Sequence, residues 1–406
     1  MNTPFYIAKR YVFSKKTHNA INIISLISVF GIFVSTAAMV IVLSAFNGIE
    51  SLVQDLFSSF DPAIKITVKT GKTFAPKLVP LSELQEIEGV DKISQTIEEV
   101  TMLKHGDQWI TATLKGVDSN FFEVCNIENT LTEGTSILNN NNIEGAIIGL
   151  GIQNKLQVTS DPAYSNTITA YGLLRTEKIS RNNKKAFKPL FLNINGVFSI
   201  NPEFDNQYII TSISFAQQLL ELQDEITSIE IGLKENANAN KVKKSIQKLL
   251  NSNFEVKTRY EQNELMFKTN QTEKWMVFLI LGFILILSTF NIIASISMLL
   301  FDKEKDIKTL ISLGATQRFI QQIFFLEGLF INLLGGIIGI VTGLIISFLQ
   351  IKFHFVKLQN SVIDYWPMEI KLEDILLIFI TITIVGILSS YLPVKYLIRK
   401  QFSDSF

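Results

Sequence analysis

The sequence predicts an α-helical membrane protein with four transmembrane helices and a large mixed α/β extracytoplasmic domain inserted between helices 1 and 2. Three observations lead there. Only 18% of the 406 residues are charged and the mean hydropathy is +0.29, against roughly 25% charge in ordinary soluble domains. The apolar residues are gathered into four runs, each meeting the roughly 20 residues that a helix needs to cross a bilayer. Between the first and second runs lies a polar stretch, residues 49–273, with strand and helix patterns of its own.

The runs fix the domain limits. Residues 19–48 carry no charge, 275–301 none, 319–351 only Glu327, and 375–394 none. The first is too long for a cleaved signal peptide, whose apolar part is roughly 7–15 residues, so it reads as a retained anchor. The chain then divides into a cytoplasmic segment 1–18, helix 1 at 19–48, the outer domain 49–273 and helix 2 at 274–301. A cytoplasmic segment 302–318, helix 3 at 319–351, an outer loop 352–373, helix 4 at 374–394 and a tail 395–406 complete it. Lys9, Arg10, Lys15 and Lys16 before the first run place the N-terminus inside. Lys303, Lys305, Lys308 and Arg318, then Lys395, Arg399 and Lys400, do the same for the second inner loop and the C-terminus. Residues 1–18 read equally as a basic flank or as an interfacial helix lying on the inner leaflet. At 1.5 Å per residue helix 1 would be about 45 Å long against a hydrocarbon core of about 30 Å, so it tilts or continues outward as a stalk.

The outer domain has to hold together by its own core, because Cys125, the single cysteine, can form no internal disulfide. Its pattern is mixed α/β. Residues 64–69 alternate as a strand, and 82–88 read as a helix closed by Gly89. Residues 94–104 and 109–115 form a strand pair around His105, Gly106 and Asp107. A strand runs into a helix over 145–156, and further strands are expected at 165–170, 191–199 and 208–211. A helix at 214–222 is followed by a β-α-β unit over 226–258, and a polar helix at 261–274 leads into the second span. The basic segment 177–188 reads either as an exposed hairpin tip or as a partner-docking loop.

Few residues offer chemistry. Net charge is zero, with 37 basic and 37 acidic residues, so no electrostatic field draws nucleic acid. Gly71-Lys72-Thr73 lacks the first glycine of a P-loop, where Ile66 stands, and Asn154 replaces the third glycine of a dinucleotide fingerprint. His18, His105 and His354 lie on separate segments, so no metal site is expected, and no catalytic nucleophile motif is present. The chain reads as a non-enzyme that binds no cofactor itself.

The membrane part says more. A charged interruption at 303–308 begins a short helix in which Ile307, Leu310 and Ile311 share a face; Gly314 ends it and Thr316 caps the next helix. Such a helix should offer its apolar face to something. Behind it Gly335, Gly339 and Gly343 repeat every four residues, with Gly328 and Gly336 near the same band, the spacing of a close helix–helix seam within the chain or its dimer. Glu327, nine residues past Arg318, together with Asn291 and Asn332, reads as structural glue rather than as a ligand set.

Residues 302–315, with their Asp-Ile…Leu…Leu-Gly-Ala pattern, resemble the FtsX/MacB-type ABC permeases, and among them most closely the lipoprotein-releasing (Lol) transmembrane subunits. The segments 5–11, 43–50, 195–199 and 260–263 are similar to theirs. The resemblance implies that 302–318 is a coupling helix, with Lys305, Asp306, Ile307, Leu310, Leu313, Gly314 and Ala315 meeting a cytoplasmic ABC ATPase dimer that holds ATP and Mg. It also implies a second permease copy or paralogue, a MacB-like core for the outer domain, and a lipoprotein taken from the outer leaflet of the inner membrane among membrane lipids. A periplasmic carrier would receive it, and the 177–188 loop lies roughly where some Lol subunits recruit theirs. The substrate cavity would be lined by Met39, Val40, Leu43, Phe46, Phe278 and Leu285. Alternatives within the superfamily are a MacB-like efflux component and an FtsX-like mechanotransmission permease; a membrane receptor is a further alternative, disfavoured by the lack of a cytoplasmic output module.

Overall fold

The computed structural model describes residues 3–13, 19–140, 143–160, 166–173, 187–222, 224–358 and 365–403. The chain opens with α1 (Thr3–Phe13) and the 42-residue α2 (Asn19–Phe60). Next come β1 (Ile64–Val68), α3 (Leu81–Glu86), β2 (Val90–His105), β3 (Gln108–Val117), α4 (Phe121–Val124), β4 (Leu131–Gly134) and β5 (Asn139–Asn140). Then follow β6 (Ile143–Gly149), α5 (Leu150–Leu156), β7 (Thr167–Leu173), β8 (Phe187–Phe198), α6 (Pro202–Gln207), β9 (Tyr208–Ser212) and α7 (Ile213–Leu220). Strand β10 (Ser228–Leu233), α8 (Ala239–Leu249), β11 (Phe254–Thr258) and α9 (Arg259–Gln262) lead to α10 (Glu264–Asp302), α11 (Glu304–Ser312), α12 (Gln317–Phe353) and α13 (Leu372–Ser403). Among the described residues four helices are long and apolar enough to cross a membrane, over Ile23–Phe60, Glu264–Asp302, Gln317–Phe353 and Leu372–Arg399. The chain forms two compact units, Met1–Leu52 with Lys268–Phe406, and Val53–Phe267.

In the helical unit α12 is the central element. A methyl group added at Gly335, Gly339 or Gly343 would stand 2.7, 2.8 or 3.1 Å from the carbonyl oxygens of Val29, Phe33 and Ala37 on α2. Three glycines at i, i+4, i+8 thus meet three carbonyls at the same spacing, so the two backbones lie in direct contact. Gly328 and Gly336 face the other way, Gly328 onto Ser390 of α13 and Ile296 of α10, and Gly336 onto Ile382 of α13. Gly386 of α13 receives Asn332, which is fully buried and donates its Nδ2 to the Ile382 carbonyl at 2.8 Å. The glycine seam is therefore internal to the chain and two-sided. Helix α1 lies against α12, with Ala8 buried and Phe5 edge-on to Phe330 at 5.2 Å.

The α/β unit is built on strand pairing. Six strands close on themselves, β2–β3–β9–β6–β8–β7 and back to β2. Closure is possible because β2, 16 residues long, changes partner along one edge: its first half pairs with β10 and its second with β7. The β2–β3 hairpin turns at Gly106, whose φ of +54° suits a residue without a side chain. The β-α-β unit expected over 226–258 forms as β10, α8 and β11, but the two strands are not neighbours. Strand β1 lies between them, antiparallel to both, with Ile64 opposite Ile231 and Thr258. One helix crossover has left a one-strand gap for β1, as in split β-α-β arrangements.

Alternation gives this sheet two buried faces. Ile64, Ile66, Ile97, Leu114, Ile229 and Ile231 point into one core. Their sequence neighbours point to the other, where Phe57 and Phe60 from the last turns of α2 pack with Val117, Phe121, Cys125, Phe198 and Phe204. That second face holds a row of charges across four adjacent strands: Lys65, Glu230, Glu98 and Lys115. Lys115 Nζ lies 2.9 Å from Glu230 and 3.3 Å from Glu98, and Lys65 Nζ 3.0 Å from Glu98. The Lys115 ammonium also sits 4.6 Å from the Phe60 ring and 4.8 Å from Phe121. Burial alone would discharge Lys115, but Glu230 and Glu98 hold its pKa above the ordinary lysine value. Burial likewise works against an ionised Glu98, yet Lys65 and Lys115 bring it down to about 2. Glu230 goes the other way: complete burial raises it despite Lys115, and its Oε2 has no hydrogen-bond partner. Cys125 donates to the Phe60 carbonyl at 3.3 Å, and burial pushes its thiol up.

Two outcomes follow for stability. Gly339→Leu should destabilise the purified protein by about 1–3 kcal/mol or more through overpacking, while Gly282→Ala, where the nearest atom is Met39 Cε at 3.8 Å, should stay within about 0.5 kcal/mol; thermal unfolding in detergent measures both. Lys115→Met should cost about 3–5 kcal/mol by leaving buried carboxylates short of a partner. Adding Glu230→Met, which leaves the Lys65–Glu98 pair, should recover part of that loss, as read by unfolding followed at Trp109.

Candidate functional site

The short helix α11 forms where the sequence places it. Gly314 has φ +90° and closes it, and the Thr316 hydroxyl accepts from the Phe319 N–H at 3.3 Å to cap α12. Its apolar face, however, is not on offer. Ile307 is 5% exposed, and with Ile311 and Ala315 it packs into the core formed by α2, α10, α12 and α13. The expectation that this face awaits a partner is corrected: i, i+4, i+8 residues seat the helix on its own bundle, because four spans leave an apolar base that needs covering. The outward side carries Lys305, Asp306 and Leu313, with Leu310 half-buried and Gly314 exposed. Leu313 is 79% exposed. Lys303–Asp306 at 3.3 Å and Glu304–Lys308 at 2.7 Å hold the charged side chains along the helix. The Lys308 hydrogen bond and charge lower the Glu304 pKa.

At the other end of the helical unit, a cavity of about 330 Å³ is lined by Leu43, Trp275, Phe278 and Leu377 below a rim of Glu50, Asn270, Gln271, Lys274, Glu373 and Asp374. Of the residues expected to line a substrate cavity, Leu43 and Phe278 border this space. Met39, Val40 and Leu285 are buried in the bundle core and Phe46 is half-buried.

A polar junction at this end escapes sequence reading. Lys274 Nζ donates to Asn47 Oδ1 at 2.8 Å and to Asp374 Oδ2 at 3.0 Å, and Asn47 Nδ2 donates to Asp374 Oδ2 at 2.6 Å. Beside it the Glu369 N–H donates to the Ser44 carbonyl at 2.9 Å, Lys371 meets Glu50 at 3.1 Å, and Gly48 lies against the backbone of Pro367 with no room for a side chain. A signal existed: Lys274 is the last charge before one uncharged run and Asp374 the last before another, which puts opposite charges at one membrane depth.

The α/β unit has a larger cavity, about 630 Å³, whose lining includes Asp91, Glu123, Asn126, Arg259, Tyr260 and Glu261. The basic 177–188 segment lies outside the described residues except for Phe187 and Lys188; Lys188 pairs with Glu221 at 3.2 Å. Among the described residues no group of His, Cys, Asp and Glu side chains is arranged to hold a metal ion.

Two families match this chain: the FtsX-like permease C-terminal family over residues 278–402 and the MacB-like periplasmic core domain over residues 25–249. The chain is 28% identical to the lipoprotein-releasing system transmembrane protein LolC of Buchnera aphidicola subsp. Schizaphis graminum, over 98% of both chains. It is 24% identical to the LolE protein of Haemophilus influenzae, over 99% of this chain and 98% of that one. A likeness to the crystal structure of the periplasmic region of MacB from Actinobacillus actinomycetemcomitans has 13% identity and a TM-score of 0.37, over 53% of this chain and 97% of that one, too slight to carry an argument. With more than half its length matched by a MacB-like periplasmic core and its last three spanning helices by the FtsX-like fold, the chain belongs to the FtsX-like ABC transporter permeases that bear a MacB-like periplasmic domain.

Proposed function

We propose that this chain is the non-catalytic permease subunit of an ABC transporter that extracts lipoproteins from the outer leaflet of the inner membrane and passes them to a periplasmic carrier. The observation that carries this reading is the end-to-end likeness to lipoprotein-releasing permeases, which covers 98% of both chains in the first case. In this reading both termini are cytoplasmic, and the MacB-like domain is inserted between the first and second spans on the periplasmic side. A separate ATPase dimer hydrolyses ATP and docks on α11, and a second permease copy or a paralogue completes the complex.

The geometry of α11 supports this division of labour. Its apolar face is tied into the bundle, so force on its exposed side reaches α12 directly. Docking then rests on Leu313 and the flanking charged residues rather than on Ile307. A MacB-like efflux role is the second reading, favoured by the match of residues 25–249 to the MacB-like core. Proteoliposomes holding the chain with its ATPase distinguish the two: ATP-dependent release of a triacylated lipoprotein to a soluble carrier supports the first, and its absence favours the second.

Leu313→Asp should abolish co-purification of the ATPase and leave the thermal stability of the permease within about 0.5 kcal/mol, since the side chain is exposed. Ile307→Asp, by contrast, should destabilise the permease itself by more than about 2 kcal/mol through an unpaired buried charge. Retained ATPase in the Leu313 variant would remove α11 as the docking helix.

A further inference from the structure

Among the described residues, three of the four spanning helices pack on one another through glycines that a side chain would not fit. The α2 and α12 backbones touch at three successive glycines, and α12 and α13 interlock through Gly328, Gly336, Asn332 and Gly386. At the outer end α2 is also tied to the segment leading into α13. The Ser44 carbonyl accepts from Glu369 N–H, Asn47 reaches Asp374, and Gly48 lies on Pro367. Contacts this close leave no room for side chains between the helices, which sets α2, α12 and α13 together as one tightly packed block.

Helix α10 is held in another way. Ser35 on α2 meets Ser288 on α10 with 3.2 Å between the hydroxyl oxygens, and Ser25 meets Ser295 at 2.8 Å. The first pair is easily released. Ser35 Oγ also donates to the Gly31 carbonyl at 2.9 Å and Ser288 Oγ to the Ile284 carbonyl at 3.0 Å, so each keeps a partner on its own helix when the two separate. Towards α2 the α10 helix makes only ordinary side-chain contact, a methyl group added at Gly282 standing 3.8 Å from Met39 Cε and one at Gly31 3.5 Å from Ser288, while further along Ile296 of α10 reaches into the Gly328 pocket of α12. Lys274 is the exception. Its ammonium bonds Asn47 and Asp374, both on the block, and these charge-assisted contacts have no substitute on α10's own backbone. It stands on the rim of the 330 Å³ cavity, with its side chain 22% exposed and that of Asp374 15%.

We infer that Lys274 is a positioning residue: an outer latch that holds α10 closed on the block of α2, α12 and α13, and that parts when α10 moves to admit an amphiphile between α2 and α10. The inference rests on the transport reading for what passes through the seam, while the latch itself is a property of this chain. Its direction is specific. Loss of the charge on either side of the Lys274–Asp374 pair loosens the α2–α10 seam and leaves the α2–α12 seam untouched.

The test is a cross-linking rate, read in native membranes with neither lipoprotein nor carrier added. Ser35→Cys with Ser288→Cys places two thiols across the α2–α10 seam, and the chain's own Cys125 is buried. With this pair in place, Lys274→Met and Asp374→Asn should each slow disulfide formation several-fold. Lys274→Arg should preserve the rate, and the exchange Lys274→Asp with Asp374→Lys should restore it. A rate indifferent to Lys274→Met overturns the latch, and so does an exchange variant that stays slow although the chain is present at normal levels. A seam that responds as expected in a chain that releases no lipoprotein supports the latch and counts against the transport reading alone.

Discussion

The helical unit depends on the absence of side chains at three positions of α12. Gly335, Gly339 and Gly343 let α2 approach until backbone meets backbone, and much else follows from that approach. Inside a bilayer no hydrophobic force draws helices together, since lipid is as apolar as leucine, so close packing and a few hydrogen bonds have to supply the association. The glycines supply the packing, and Asn332 with Ser35 and Ser288 supplies hydrogen bonds. Because Gly335 and Gly336 are adjacent in sequence, they point about 100° apart on the helix, and so α12 can grip α2 with one and α13 with the other.

This arrangement gives α11 its meaning. The helix follows α10 and precedes α12, and its apolar residues are buried in the core that those helices share. In the proposed role, a push on its outer side would be applied next to α12, whose glycines bring α2 and α13 into close contact. Helix α10 meets α2 through side chains, Ser288 on Ser35 and Ser295 on Ser25, where α12 meets it through glycines, so the two seams of α2 differ in kind.

Much of this was legible in the sequence, for definite reasons. Bilayer thickness imposes a length on uncharged runs, so the four spans could be counted, and Gly314 with Thr316 marks the break before α12 because each has a backbone role that few residues fill. The 106–107 hairpin and the strand-to-helix passage at 145–156 were read from alternation and turn residues. The glycine band was visible, but its partners were not, since a period of four fixes a face and not what lies against it. The apolar face of α11 was misassigned because amphipathicity shows that a face is covered without saying by what. Lys65, Glu98, Lys115 and Glu230 were invisible for a related reason. Each occupies the polar alternate position of its strand, which normally faces water; here that face is covered by Phe60 and Phe121. Six-strand closure was beyond reach as well, because β2's change of partner is decided by pairing far away in the chain.

Cys125 lies beneath that same cover, its thiol hydrogen-bonded to the Phe60 carbonyl. For a domain facing the periplasm, as proposed, this cover is also a shield. The compartment oxidises thiols, and with no second cysteine in the chain an accessible thiol would go to a mixed disulfide or a sulfenic acid. Fully buried among Phe60, Phe121 and Phe198, the Cys125 thiol is out of reach of both. The aromatic rings that meet the Lys115 ammonium thereby also guard the lone thiol.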